Sequence, residues 1–234
     1  MAKDKLVIGI NPIEKLISNS KLNSQIEVVD WSDLECIKKL TIELLLNLMS
    51  NLNIVKSTIE YIYQDYQQKL QFDDTKYFTR LILFEPSSKL YSIRLMSMKK
   101  TDYVIPHNHR GTFGVGILSG EYVHKTYLRK EKELELNSTD VFTSGDIYYI
   151  DNDIIHSTEV KNQHFSLMVR ANSSKGEREI FFKEGVKKVN GGSDNYVSNI
   201  INDQTLKEFE IFTKKLFPVL EKPIRIQKGS SIFE

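Results

Sequence analysis

The sequence predicts a mainly β protein, a sandwich or small closed barrel, with helical segments before and after it. Three observations carry this. Between about residues 77 and 182, eight short runs rich in Ile, Val, Tyr, Phe and Thr follow one another, separated by turn residues. Ahead of them, apolar residues recur at helical spacing. Behind them, a glycine-rich stretch leads into one more amphipathic segment.

In the first region, Ser32-Asp33 stands where a helix would be capped, with Glu35 near its first turn. Leu34, Ile37, Leu40, Leu44, Leu45 and Leu48 then share a helical face. A second helix is predicted over 54–70, with Ile54, Ile59, Ile62, Tyr63 and Tyr66 as its apolar members. Both read as amphipathic helices that pack against the rest of the fold. The strands are predicted at 78–84, 90–98, 112–118, 121–128, 146–150, 154–160, 164–171 and 177–182. Pro86-Ser87-Ser88, Ser119-Gly120, Ser144-Gly145 and Lys161-Asn162 mark turns between them. Short strands at regular spacing are the pattern of a sandwich or small barrel. A loop at Asn190-Gly191-Gly192-Ser193 precedes a helix over 203–216, with Leu206, Phe209, Phe212 and Leu216 on one face. Pro218 and Pro223 favour an extended tail. The organisation expected is one structural domain in three parts: a helical segment (1–76), a β barrel (77–185) and a C-terminal helix with its tail (186–234).

The 234 residues are 40% hydrophobic, enough for a sizeable core. Lys and Arg number 32 against 31 Asp and Glu, a net charge of +1, which gives no electrostatic case for nucleic acid or an anionic membrane as the main partner. A single cysteine, Cys36, excludes an internal disulfide framework. No run approaches the ~18 apolar residues of a membrane span, and the apolar stretch from Leu6 to Ile10 is too short for a signal-peptide core. The expectation is a soluble cytoplasmic protein, and a homo-oligomer is compatible with these numbers. Phosphate-binding Gly-rich loops and a Gly-x-Ser-x-Gly elbow are absent from the sequence.

All five histidines lie between His107 and His164. His107 and His109 are two apart, so on a strand both imidazoles point to one side. His156 follows 47 residues after His109, beyond Gly145-Asp146, where a barrel can bring its strand back beside the first pair. Three imidazoles on one interior wall would form a facial metal site with open positions opposite. Surface polar alternation is the plainer reading of the pair alone. His124 and His164 fit no ligand spacing and read as ordinary strand residues.

On these residues the chain resembles the cysteine dioxygenase-like thiol dioxygenases of the cupin superfamily. The resemblance covers roughly 77–171. It rests on Tyr77-Phe78-Thr79-Arg80, on Ile105-Pro106-His107-Asn108-His109 with Phe113-Gly114-Val115-Gly116-Ile117-Leu118-Ser119-Gly120-Glu121, and on Gly145-Asp146-Ile147-Tyr148-Tyr149-Ile150 leading to Ile155-His156. It implies a cupin double-stranded β-helix barrel. The general cupin pattern has a glutamate four or five residues after the second histidine, where this chain has Phe113 and Gly114. A three-His site is therefore implied, the ligand set with which the thiol dioxygenases hold Fe(II). Gly114 falls where animal members carry a cysteine crosslinked to a tyrosine and bacterial-type members commonly carry glycine. The family's closing Ser-x-His-x-Tyr strand reads Ser166-Leu167-Met168-Val169-Arg170 here, with Met168 and Arg170 replacing histidine and tyrosine.

The implied activity is oxidation of a small anionic metabolite by dioxygen, most simply of a thiol-bearing carboxylic or amino acid. Arg80 and Arg170 are the candidates for catalytic and substrate-binding roles, because a guanidinium pairs a carboxylate through two parallel hydrogen bonds. A structural salt bridge is the plainer reading of Arg80. Tyr148 and Met168 are the further candidates for lining the substrate, and Arg94 could face either side of its strand. Two other readings stand beside this one: a metal-dependent cupin isomerase or lyase, and a ligand-binding cupin module without turnover.

Overall fold

The computed structural model describes residues 9–75, 77–100, 105–131, 133–171, 178–182, 185–189 and 202–226. The chain opens with helices. α1 (Pro12–Ser18) starts at an Asn11 cap with proline in the first turn, and α2 (Lys21–Val28) starts at a Ser20 cap. α3 (Leu34–Ser50) is capped by Asp33, whose carboxylate accepts from the backbone N–H of Glu35 and Cys36. It buries Ile37, Leu40, Thr41, Leu44, Leu45, Leu48 and Met49, one stripe at helical spacing. The segment expected as a single second helix is two, α4 (Leu52–Gln64) and α5 (Tyr66–Lys69), because Asp65 leaves the helical backbone region between them. The Asn190–Ser193 loop expected from the sequence lies outside the described residues.

The β region forms two main antiparallel sheets. β1 (Phe72–Asp74), β2 (Phe78–Phe84), β3 (Tyr91–Met98), β4 (Phe113–Ser119), β7 (Ile147–Ile150) and β9 (Phe165–Ala171) form the larger, in the order β1-β2-β3-β9-β4-β7. β5 (Tyr122–Lys130), β6 (Glu133–Phe142) and β8 (Ile155–Val160) form the smaller, in the order β6-β5-β8. β10 (Arg178–Phe182) and β11 (Gly185–Val189) make a hairpin. This is the mainly β architecture, two facing antiparallel sheets behind a helical N-terminal segment, that the sequence predicts. α6 (Asp203–Leu220) follows, and it runs through Pro218 rather than ending before it. A proline here gives up its N–H bond to the carbonyl four residues back and crowds that carbonyl, and the helix ends two residues later, at Leu220.

Each face of the larger sheet has its own partner. Directly opposed residues in an antiparallel pair share a face. The row Leu95–Leu167–Gly116 therefore looks one way, with Ile93–Val169–Gly114 beside it. That face, carrying Leu81, Leu83, Leu95, Leu167 and Val169, packs against the buried stripes of α3, α4 and α6. The other face, carrying Phe113, Val115, Ile117, Tyr148 and Ile150, turns into the barrel and meets Tyr122, Phe142 and Val160 of the smaller sheet.

Two glycines let α3 come down onto the barrel. A Cβ at Gly114 would stand 2.5 Å from Thr41 Cγ2 and 2.9 Å from Leu45 Cδ1, and one at Gly116 would collide with Met49 Sδ. Gly114 thus faces the helix. The position at which animal members of the resembled family carry a crosslinked cysteine makes a packing contact with α3 here, and the residue opposite Arg170 on the barrel side is Phe113. Among the described residues no helix is long and apolar enough to cross a membrane. Gly116→Val is expected to destabilise the protein by about 1–3 kcal/mol through overpacking against Met49, read as a lowered midpoint in urea.

Candidate metal centre

The three spaced histidines converge. His107 lies in the segment entering β4, and its backbone exchanges two hydrogen bonds with His156 of β8: His107 N–H to His156 O and His156 N–H to His107 O, each 2.9 Å. A pair that exchanges both bonds projects its side chains to the same face. On the other flank, Asn108 N–H donates to Glu179 O, Asn108 Oδ1 accepts from Glu179 N–H at 2.7 Å, and Phe181 N–H donates to Pro106 O. The 105–109 segment is thus clamped between β8 and β10 by backbone bonds.

The imidazoles meet inside that clamp. Ring centroids stand 4.7 Å apart for His107–His109, 4.8 Å for His107–His156 and 5.0 Å for His109–His156. The ring nitrogens of the three, one from each, lie within 4.8 Å of one another. His107 Nδ1 engages Ile105 O at 2.9 Å, so Nε2 is the atom through which His107 would bind an ion. His109 Nε2 and His156 Nε2 are 2.8 Å apart. Two imidazole nitrogens bound to one ion at about 2.1 Å and at right angles stand about 3 Å apart, so this pair suits a single metal ion. Neutral imidazoles are donors for iron, zinc, copper and nickel alike. Phe113 closes one side, its ring edge-on to His109 at 4.7 Å.

His124, which reads as an ordinary strand residue in the sequence, belongs to this cluster. Its Nε2 is 2.8 Å from His156 Nδ1, and its ring is fully buried among Tyr122, Phe142 and Tyr148. Burial pushes its pKa down to about 4, against the opposing pull of the Asp140 carboxylate. The local signal was the inward alternation Tyr122-x-His124-x-Thr126. The register that sets Thr126 opposite His156, and so places His124 one step along, is a tertiary fact.

The other sequence-predicted residues divide. Arg170 is 7% exposed and sits directly between Ser92 and Phe113 on the barrel-side face, one strand from the ring that touches His109. Met168 lies in the next row on that face, between Arg94 and Val115. Arg94, 5% exposed, donates from Nε to Ser92 Oγ at 2.8 Å, so it faces inward with Arg170. Tyr148 is buried and stacked on Phe142 at 4.3 Å, and burial raises its phenol well above the ordinary value. Arg80, 4% exposed, is on the same face and forms a 3.0 Å ion pair with Asp73, its cross-strand neighbour on β1. Asp73 falls in the segment expected to be helical, so this partner was invisible to a local reading.

No family model matches the chain, and no curated protein matches it. Solved structures do match it. They include an RmlC-like cupin from Shewanella frigidimarina NCIMB 400 (13% identity, TM-score 0.37, covering 46% of this chain and 88% of that one). KdgF from Halomonas sp. gives 12% identity and a TM-score of 0.34 over 44% of this chain and 87% of that one. Hydroxypropylphosphonic acid epoxidase from S. wedmorenis gives 11% and 0.36 over 45% and 56%. Likeness at this level assigns no residue a role.

His164 offers a test of barrel burial away from the triad. It is 1% exposed, stacks on Tyr122 at 5.1 Å, and neither ring nitrogen has a hydrogen-bond partner among the described residues. Burial pushes its pKa down to about 4, whereas an unfolded histidine titrates near 6.5. Between those values the unfolded chain binds the extra proton, so stability rises with pH across the window and is lost as pH falls from about 6.5 towards 4. The urea midpoint is expected to drop between pH 7 and pH 5, and His164→Phe to remove part of that drop.

Proposed function

We propose that this chain is a mononuclear non-heme iron oxygenase of the cupin type, acting on a small anionic metabolite and most simply on a thiol-bearing carboxylic or amino acid. The supporting observation is the convergence of His107, His109 and His156 inside the barrel, one strand from the buried guanidinium of Arg170. His107, His109 and His156 would hold the Fe(II). An ion bound there supplies Lewis acidity towards an anionic donor and the one-electron chemistry needed to activate dioxygen.

The chain's own residues do the rest. Three neutral imidazoles leave the ion's charge uncompensated, which favours a substrate that brings a thiolate or carboxylate. Arg170 would receive a carboxylate in two parallel hydrogen bonds, and its burial makes that pairing stronger than it would be in water. Arg94 adds a second positive charge along the same wall. Arg80 contributes to the same field while tied to Asp73. Phe113, Tyr148 and Met168 form the apolar side, which holds the substrate against the histidines and keeps bulk water out.

Met168 and Arg170 stand where the thiol dioxygenases carry histidine and tyrosine, and this favours one second reading. In it the same site uses its ion only as a Lewis acid, in an isomerase or lyase reaction. Metal content of anaerobically purified protein, followed by oxygen uptake with a panel of small thiols and amino acids, separates the two. Near-stoichiometric iron with uptake supports the oxygenase; a redox-silent metal with no uptake supports the second reading. His107→Ala is expected to lose stoichiometric metal, and full retention would remove His107 from the ligand set. Arg170→Ala is expected to raise the apparent KM at least tenfold. An equal effect from Arg80→Ala would place both arginines on the substrate, and a smaller one would leave Arg80 as the clamp of β1.

A further inference from the structure

Resting on the metal-site reading, we propose that His124 is a positioning residue that sets the tautomer of His156, with Asp140 behind it. Both ring nitrogens of His156 face another histidine: Nε2 meets His109 Nε2 at 2.8 Å and Nδ1 meets His124 Nε2 at 2.8 Å. A neutral imidazole has one N–H and one lone pair. If His156 carries its proton on Nε2, that nitrogen cannot bind a metal. If it carries the proton on Nδ1, it donates to His124 Nε2, and its Nε2 lone pair points into the triad. Only the second arrangement makes His156 a ligand, and it requires His124 to accept at Nε2 and to carry its own proton on Nδ1.

The surroundings of His124 fit that requirement. The ring cannot turn away, because it is fully buried between Tyr122, Phe142 and Tyr148. Directly across the ladder on β6 lies Asp140, whose carboxylate accepts from Ser138 Oγ at 2.8 Å. Ser138 Oγ in turn meets Thr126 Oγ1 at 2.9 Å, and Thr126 is the cross-strand partner of His156. The carboxylate is therefore fixed by a hydroxyl chain that starts beside the ligand. The carboxylate makes no hydrogen bond to His124 Nδ1 and acts on the ring through space, where its charge favours a protonated Nδ1 over a lone pair. His107 uses the commoner device, a backbone carbonyl on Nδ1. His156 uses a second imidazole, a neutral acceptor, which draws less electron density onto the ligand than a carboxylate in direct contact would.

The experiment measures Co(II) affinity, by competition with a chromogenic chelator, for the full-length wild type, His124→Phe and His124→Gln. His124→Phe conserves bulk and removes the acceptor, and is expected to weaken Co(II) binding about 10–100-fold. His124→Gln restores an acceptor oxygen and is expected to recover most of the loss. The ring 15N shifts of the zinc-loaded wild type are expected to show His156 protonated on Nδ1 and bound through Nε2. Wild-type affinity in His124→Phe, or a His156 bound through Nδ1, overturns the proposal while leaving the metal site standing. A wild type that binds neither Co(II) nor Zn(II) overturns the metal-site reading itself. If His124→Phe does not fold, the glutamine variant's affinity and the wild-type ring shifts decide the matter.

Discussion

Two backbone hydrogen bonds hold the site together. The bonds exchanged by His107 and His156 join the segment entering the larger sheet to the last strand of the smaller one. Without them the pair of histidines in the first segment and the single one in β8 would sit on separate sheets with no fixed relation. With them, the antiparallel geometry alone sends both side chains to one face, and His109 follows two residues on. The β10 contacts to Pro106 and Asn108 prevent the segment from peeling away on its other side. Convergence of the three histidines is therefore a property of main-chain pairing, and the imidazoles need only adopt the rotamers that the pairing allows.

The barrel side of the larger sheet brings two kinds of residue into one small volume. Phe113, Val115, Ile117, Tyr148 and Ile150 make it apolar. Arg80, Arg94 and Arg170, each nearly inaccessible, make it positive. Buried guanidinium groups are costly unless paired. Arg80 meets that condition through its ion pair with Asp73, and Arg94 donates to Ser92 Oγ within the same wall.

Much of this was legible in the sequence, for identifiable reasons. Period-2 alternation and turn residues located β2 to β5 and β7 to β10 to within a few residues, because those strands bury at least one face. β6 was missed because most of Glu133–Phe142 is exposed, so Leu-Asn-Ser-Thr-Asp carries no hydrophobic signal. β1 is three residues long and follows directly on a helix. The His107–His109 pair was readable because strand geometry is local. His156 was readable from its place behind the Gly145-Asp146 turn. His124 was not, since its contact depends on the register of β5 against β8. The pairing of Arg80 with Asp73 was hidden for the same reason. The role of Gly114 was not legible either: the family position was readable by counting from the histidine pair, but the pleat that turns it towards α3 is set by the sheet.

That glycine has a mechanical consequence. Phe113 and Gly114 are consecutive on β4, and one touches His109 while the other receives Thr41 and Leu45 of α3. A contact in which the strand offers no side chain has no slack to absorb movement. Any shift of α3 reaches Phe113 across a single peptide unit. The N-terminal helices, which supply none of the three clustered histidines, thus act as the backing plate of the cluster and set how steadily its aromatic wall stands.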